Sequence, residues 1–427
     1  MTASILFYLT ILALCIALIL KAPFFKISGL SSKWVLSVFI IKLLAATFFW
    51  WLYTFYYPDR SDADLYKYFD DAKVLMSHSA ENTELRLSLF LPESNRSEKY
   101  VELLSHSLHW DRGENANFND NRSMIRIHFL LLYLSNGFFH LHNLFFCFLS
   151  FIGSMALFRF FRNNSGLSSK ILFSLLFLLP STLLFSSPAL KESWLFFCLG
   201  SFLFHLCQFF NKRTFLNFFL SLIFLFLLLG IKPYILLALS PALFAFSLSY
   251  FYPKRTIAIF ATVHGLLILL LLLKNEFITH ILIEKQAAFI QLAQTSDAGS
   301  YFEVATFNNL KEMLAALPQA FYNVWIRPLM FIFDSPIAKF AAIESFFLLI
   351  SPIAAVMYYR KPKQSELPLI LLSVSYLLIL TALIGLCVPV MGAVVRYKVP
   401  LYPFYIILML SFIDLKRIPF LRTFNNA

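Results

Sequence analysis

WVLSVFIIKLLAATFFWWLYTFYY, residues 34–57, runs directly into PDRSDADLYKYFDDA, residues 58–72. The first stretch is apolar for 24 residues. A helix needs about twenty such residues to cross roughly 30 Å of hydrocarbon. The second opens the longest polar segment of the chain, with five aspartates in thirteen residues: Asp59, Asp62, Asp64, Asp70 and Asp71. Tyr66, Tyr68 and Phe69 lie among them. A membrane scaffold holding an acidic, aromatic loop at one face of a bilayer is the organisation this pair of stretches predicts.

The rest of the chain repeats the first stretch. Of 427 residues, 59% are hydrophobic, 18% aromatic and 14% charged, against about a quarter charged in soluble domains. A large soluble fold has no way to bury so many long apolar runs. The expected class is an all-α integral membrane protein. About eleven spans are expected: 4–20, 34–57, 127–150, 171–189, 192–211, 214–231, 233–252, 256–273, 340–359, 367–388 and 399–415. Residues 4–20 are read as a retained span, because no basic segment precedes them and no convincing cleavage site follows. The expected organisation is one polytopic domain over 1–427, with an acidic loop at 58–125 and a second long loop at 274–339.

The formal net charge of +12 follows membrane topology. Loops 21–33, 159–170, 212–213, 254–255, 360–366 and the tail hold 16 Lys or Arg. Loop 58–125 holds 13 acids and 8 bases. The two kinds of connection alternate under the eleven-span count. Short basic loops stay in the cytoplasm. The N-terminus and both long loops are therefore expected outside and the C-terminus inside. This distribution argues against nucleic acid as a partner. The five cysteines lie inside apolar runs without CxxC spacing, which argues against a disulfide frame or a cysteine metal site.

Within the long loops, Tyr100–Trp110 has apolar Val101, Leu104 and Leu108 at helical spacing, as an interfacial helix or one packed on the loop. Residues 112–123 read as irregular loop. Helices are expected over 283–294 and 308–328, with Asn308 and Asn309 as caps, and Trp325–Phe333 as a segment dipping into the membrane. There is no internal repeat, no Rossmann or P-loop glycine pattern, and no cytosolic segment large enough for a nucleotide-binding domain.

Charges at the ends of apolar runs supply the candidate site, because ionisable groups near the membrane core are costly and usually functional. Lys191 and Glu192 sit beside Pro188 in SSPALKES; as a pair they cap a hairpin, or Lys191 meets a phosphate that Glu192 orients. Lys232 lies between Gly230 and Pro233, as a snorkelling anchor or a second phosphate cation. Arg327 precedes Pro328, Arg396 precedes the last run, and Arg122 and Arg126 precede the third. An arginine grips phosphate oxygens with a fixed fork. In the acidic loop, Asp62 is the favoured base for an acceptor hydroxyl, with Asp64 beside it. Tyr66 and Tyr68 offer a sugar-stacking or packing surface. Asp62, Asp64 and Asp70 are also a candidate divalent-cation loop, since carboxylates suit hard cations, without the spacing of a defined motif. The bland alternative is an acidic solvated loop. His78, His106, His109, His140 and His142 lack metalloenzyme spacing and read as packing; His128, near Arg126, is the one to watch.

These stretches resemble the GT-C class of multispan glycosyltransferases, specifically bacterial cell-surface polysaccharide and lipid-glycan enzymes related to protein mannosyltransferase-like proteins. The resemblance rests on DADLY (Asp62–Tyr66) with Tyr68 and Ala72, on PSTLLFSSPALKES with Lys191 and Glu192, on KPY (Lys232–Tyr234) and on RYKVPLYP (Arg396–Pro403). It covers the general layout, and its motifs are short. It implies a polyprenyl-phosphate sugar donor, a glycan, lipid or protein acceptor, and action outside the bacterial cytoplasmic membrane. Asp62 would match the acid that activates the acceptor, and the basic residues would hold the lipid phosphate. One departure stands out: the acidic loop of the class follows the first span, and here it follows the second. Competing readings are a Wzy-like polysaccharide polymerase or ligase, centred on arginines without an acidic base, a lipid-linked glycan transporter or flippase, and a scaffold in a polysaccharide-export complex.

Overall fold

In hydrocarbon a backbone N–H or C=O has no partner but the chain itself, so apolar runs of this length become helices. The computed structural model describes residues 2–57, 60, 63–90, 98–109, 120–295, 299–331 and 336–418. It is all-α. Among the described residues, nine helices are long and apolar enough to span a bilayer: Thr2–Lys21, Ser32–Tyr56, Phe139–Asn164, Lys191–Lys212, Pro233–Phe251, Pro253–Leu273, Ala338–Met357, Gln364–Cys387 and Met391–Phe412. Only 11% of the apolar window is buried in Thr2–Lys21 and in Pro253–Leu273. Such faces would be untenable in water and are ordinary against lipid. The chain is a multispan membrane protein.

The expected eleven spans differ from this set in three places. Ser169–Leu178 and Phe215–Leu229 are apolar but short. The run expected at 127–150 is two helices, Asp120–Ser135 and Phe139–Asn164. Asn136 (φ 47°) and Gly137 (φ 79°) turn the chain between them, in the left-handed region that Asn and Gly tolerate best. Arg159 and Arg162 consequently lie in the last turns of a helix, and Asp120–Ser123 in the first turn of another, where the sequence predicted loop.

The chain divides into two compact units, residues 1–157 with 183–233, and residues 158–182 with 234–427. In the first, the helices through Gly153 and Gly200 meet backbone to backbone. A methyl built on Gly200 would coincide with the Gly153 carbonyl, and one on Gly153 with the backbone of Phe196 and Phe197. Small residues let membrane helices approach this closely. Phe rings fill the wider gaps: Phe151 stacks on Phe25 at 5.7 Å and meets Phe39 at 5.4 Å.

Residues 186–190 are not helical: the chain breaks around Pro188, where the sequence pointed to a break, and the break reaches back into the span expected to end at 189. Their buried polar groups are met by side chains. Lys42 Nζ donates to the Ser186 carbonyl (3.1 Å) and hydroxyl (2.7 Å), and the Ala189 N–H donates to Asn143 Oδ1 at 3.0 Å. The Ser193 hydroxyl donates to the Pro188 carbonyl. The polar groups of the break are thereby paired within the protein, as buried backbone requires.

In the second unit, helix Leu310–Trp325 packs on Leu367–Cys387 where Gly385 touches the Ala320 backbone. Its N-cap is Asn309, whose side chain accepts the Glu312 N–H at 3.0 Å, as expected. The helix expected over 283–294 is longer, Asn275–Thr295. Arg327–Phe331 is a short 3-10 turn, and residues 332–333 of the expected membrane dip lie outside the described residues.

Candidate functional site

Helix Asp64–His78 begins at Asp64, with Ala63 extended before it. Leu65, Tyr66, Tyr68, Phe69, Ala72 and Leu75 form its buried stripe, spaced for one helical face. Asp62, the favoured base, lies outside the described residues. Tyr66 and Asp70 share a face, as i,i+4 spacing requires. Arg60 joins them: its Nε and a terminal nitrogen donate to Asp70 at 2.8 and 2.6 Å, and its guanidinium lies 3.8 Å over the Tyr66 ring. The Asp70 hydrogen bonds strengthen the hold of Arg60 on its proton. The Tyr66 hydroxyl bonds Thr54. Asp71 is sealed inside, where its Oδ1 accepts the N–H groups of Leu108 (2.8 Å) and His109 (3.1 Å).

The divalent-cation expectation is overturned. Among the described residues no group of three or more His, Cys, Asp or Glu is placed to hold a metal ion. Both Asp70 oxygens already accept from the Arg60 fork. A metal there would have to displace a charged bidentate partner.

Lys191 and Glu192 are neighbours in sequence but do not pair with each other. Lys191 Nζ reaches Asp120 Oδ2 at 2.6 Å and Asn121 Oδ1 at 2.6 Å, and lies 5.6 Å from the Tyr68 ring centre. The Tyr68 hydroxyl donates to the same Asn121 oxygen at 3.4 Å. Glu192 Oε1 accepts from Lys232 Nζ at 2.6 Å. Lys232 stands in a tight turn between Phe215–Leu229 and Pro233–Phe251. The Ser123 hydroxyl, donating to the Gly230 carbonyl at 2.8 Å, fastens that turn to the start of helix Asp120–Ser135. The first unit thus gathers Tyr68, Lys191, Glu192 and Lys232 with Asp120 and Asn121, which the sequence had placed in irregular loop.

The two ion pairs differ in depth. Lys191–Asp120 leaves 39% of the Asp120 side chain exposed, whereas Lys232 and Glu192 are 3% and 0% exposed. The first pair is open to solvent on its Asp120 side while Lys191 is nearly covered, so an incoming anion can reach it there. The inner pair is sealed, so removing either member takes a charged contact from a buried group that solvent cannot replace. Arg122 is buried with its guanidinium 6.0 Å from the Tyr100 ring, and Arg126 Nε donates to the Leu89 carbonyl at 2.7 Å. Helix Glu98–Ser105 buries Tyr100, Leu103 and Leu104. Val101 and Leu108, expected on its apolar face, are exposed, so the buried stripe is displaced around the helix.

Arg327 and Arg396 belong to the second unit. The Arg327 guanidinium lies 4.5 Å from the Phe302 ring and 5.4 Å from Tyr322. Residues 300–302 are tied to the turn before Arg396: Phe302 N–H donates to the Pro389 carbonyl at 2.8 Å, and Met391 N–H to the Ser300 carbonyl at 2.9 Å. Both arginine stretches therefore border one segment.

Three buried charges were not singled out in the sequence. Lys42 holds the 186–190 break. Glu344 accepts the Ser181 N–H at 3.1 Å through Oε1, while its buried Oε2 has no hydrogen-bond partner among the described residues. Lys398 Nζ donates to Ser345 Oγ at 2.9 Å and the Val324 carbonyl at 3.4 Å. For Lys42 and Glu344 the signal was a lone ionisable residue within an apolar run, as in IIKLL and AAIESFF; Lys398 stands beside Arg396 in RYKVPLYP, just before the last expected span. Of the histidines read as packing, His142 is buried, as is His128, whereas His78 and His106 are exposed and stack on each other with ring centres 3.8 Å apart. Ser135 Oγ, His142 and His128 form a buried chain of hydrogen bonds, 2.7 Å from Ser135 Oγ to His142 Nε2 and 2.9 Å between the two Nδ1 atoms.

Chemically, the first-unit cluster offers two ammonium groups at the ends of apolar helices, one with a partner open to exchange. That arrangement suits an anion arriving with a lipid. Comparisons of the chain with protein-family models, with curated proteins and with solved structures find no match, so the residues and their geometry carry the reading of this site.

Proposed function

We propose that the chain is a membrane-embedded glycosyltransferase of the GT-C kind. It moves a sugar from a polyprenyl-phosphate donor to a glycan, lipid or protein acceptor at the external face of a bacterial cytoplasmic membrane. The observation that carries this reading is the convergence of Lys191 and Lys232, each on a carboxylate at 2.6 Å, at the ends of apolar helices. Phosphate oxygens would take the place of Asp120 at Lys191, with Lys232 held by Glu192 as the fixed second charge. In transfer, the acceptor oxygen bonds to the sugar's anomeric carbon, and that carbon's bond to the phosphate oxygen breaks. The acceptor proton passes to Asp62 or Asp64. The electron pair leaves with the lipid phosphate, whose growing negative charge the preorganised ammonium groups stabilise.

A second reading, a cation-centred polymerase or ligase, is favoured by one observation. Asp70, Asp71 and Asp120 are each held by a protein partner. The test is mass analysis of lipid-linked and surface glycans in a deletion strain. The strain is complemented at matched membrane levels by wild type, Asp62→Asn or Lys191→Gln. Glycosyl transfer with an acidic base predicts that only wild type restores the missing unit. Restoration by Asp62→Asn but not Lys191→Gln selects the cation-centred mechanism. Restoration by both variants removes the site from either chemistry.

A further inference from the structure

The second unit contains a cavity of about 390 Å³ at the basic ends of its helices. Its polar lining includes Asn164, Lys254, Gln364 and Ser365, and its apolar wall includes Phe246 and Leu369. The size falls within the range of small-ligand pockets, roughly 300–1,000 Å³. Segments 159–170, 254–255 and 360–366, which border it, carry eight Lys or Arg and one acid, Glu366. That acid is already engaged. Arg360 donates to both its oxygens at 3.1 Å, and the Lys363 N–H donates at 2.9 Å. Lys254 makes no ion pair among the described residues. The cavity is therefore electropositive: Glu366, the one carboxylate in the described segments that border it, is already paired with Arg360.

We propose that this cavity binds the phosphate headgroup of an anionic phospholipid, with Lys254 as the cation and the Phe246–Leu369 wall against the glycerol and upper acyl chains. Two observations favour a lipid over a free anion. The wall is apolar, which a bare phosphate has no use for. Phe251 and Tyr252, next to Lys254, are 52% and 59% exposed, the aromatic composition of a bilayer interface. Basic pockets between membrane helices recognise lipid headgroups in this way. The inference needs only that the chain spans a membrane; it is independent of the proposed transfer chemistry.

The experiment is native mass spectrometry of the full chain released from detergent, titrated with phosphatidylglycerol or phosphatidylcholine. It is run on wild type, Lys254→Gln, Ser365→Trp (which fills the cavity mouth) and Lys361→Gln (a lysine outside the lining). Phosphatidylglycerol is expected to be retained over phosphatidylcholine. Lys254→Gln should lower that retention about fivefold, the worth of one interfacial lysine. Ser365→Trp should lower it without a change of charge, and Lys361→Gln should leave it intact. Equal retention of the two lipids overturns the proposal. So does an equal loss in Lys361→Gln, which would mean diffuse attraction. Displacement of the lipid by millimolar inorganic phosphate would also overturn it, since the site would then recognise the anion alone.

Discussion

Glu192 and Lys232 are forty positions apart and 2.6 Å from each other, sealed from solvent. Removing one member of such a pair strands a buried charge, at a cost of about 3–5 kcal/mol, whereas replacing both by apolar groups is often neutral. Lys232→Met should therefore lower thermal stability in detergent sharply, and Glu192→Leu combined with Lys232→Met should recover most of it. A single variant as stable as the double would mean that the pair is not buried as described. Glu312 gives a residue-scale pH dependence. The Asn308 N–H, and then the Asn309 side-chain amide, hold its carboxyl below its ordinary value of 4.5. A group depressed in the folded state adds stability that is complete above the unfolded value and is lost as pH falls through the folded one. Amides at the start of helix Leu310–Trp325 should exchange faster in Glu312→Gln than in wild type above pH 4.5, and the gap should close as pH falls through the lowered value of the folded carboxyl. A gap that persists in acid would contradict the cap.

At the scale of elements, the Gly153–Gly200 crossing and the 186–190 break make separate demands. A methyl at Gly200 meets the Gly153 carbonyl, while one at Gly265 meets nothing within 4 Å. Gly200→Ala should cost about 1–3 kcal/mol through overpacking, and Gly265→Ala should be close to neutral. Thermal unfolding of the two variants side by side tests this, and equal behaviour would refute the close crossing. At the break, Lys42→Met removes the donor to the Ser186 carbonyl and hydroxyl. Leaving those acceptors unmet should cost about 1–3 kcal/mol, read as faster proteolysis near 186–190; unchanged cleavage would show that the segment holds itself.

For the whole molecule, the alternation of basic and acidic connections predicts sidedness. The native cysteines are all buried, so single introduced cysteines report cleanly. With a membrane-impermeant maleimide on intact cells, Ser105→Cys should label, and Ser168→Cys and Lys361→Cys should label only after lysis. The reverse pattern would invert the expected topology. Legibility differed across the chain for physical reasons. The runs at 367–388 and 34–57 were readable because length and composition alone set the bilayer requirement. The boundary at Asn136–Gly137 was also written locally, as a turn dipeptide, but the apolar residues on both sides masked it. Tyr68, Lys191, Glu192 and Lys232 were singled out from chemistry; Asp120 and Asn121 were not, because nothing local marks a residue that meets its partner seventy positions away.

Apolar length, helix-forming content and the placement of basic loops are properties of single stretches, so the all-α multispan class and the concentration of charge at the ends of apolar runs were determined by the sequence itself. Which charge meets which is not such a property. Lys191 turns to Asp120 and away from Glu192, Asp70 is taken by Arg60, and Lys42 supports a break in another helix. Those choices follow from how helices cross, because a buried ion or carbonyl accepts whichever partner the packing brings within about 3 Å. Tertiary structure alone decided them.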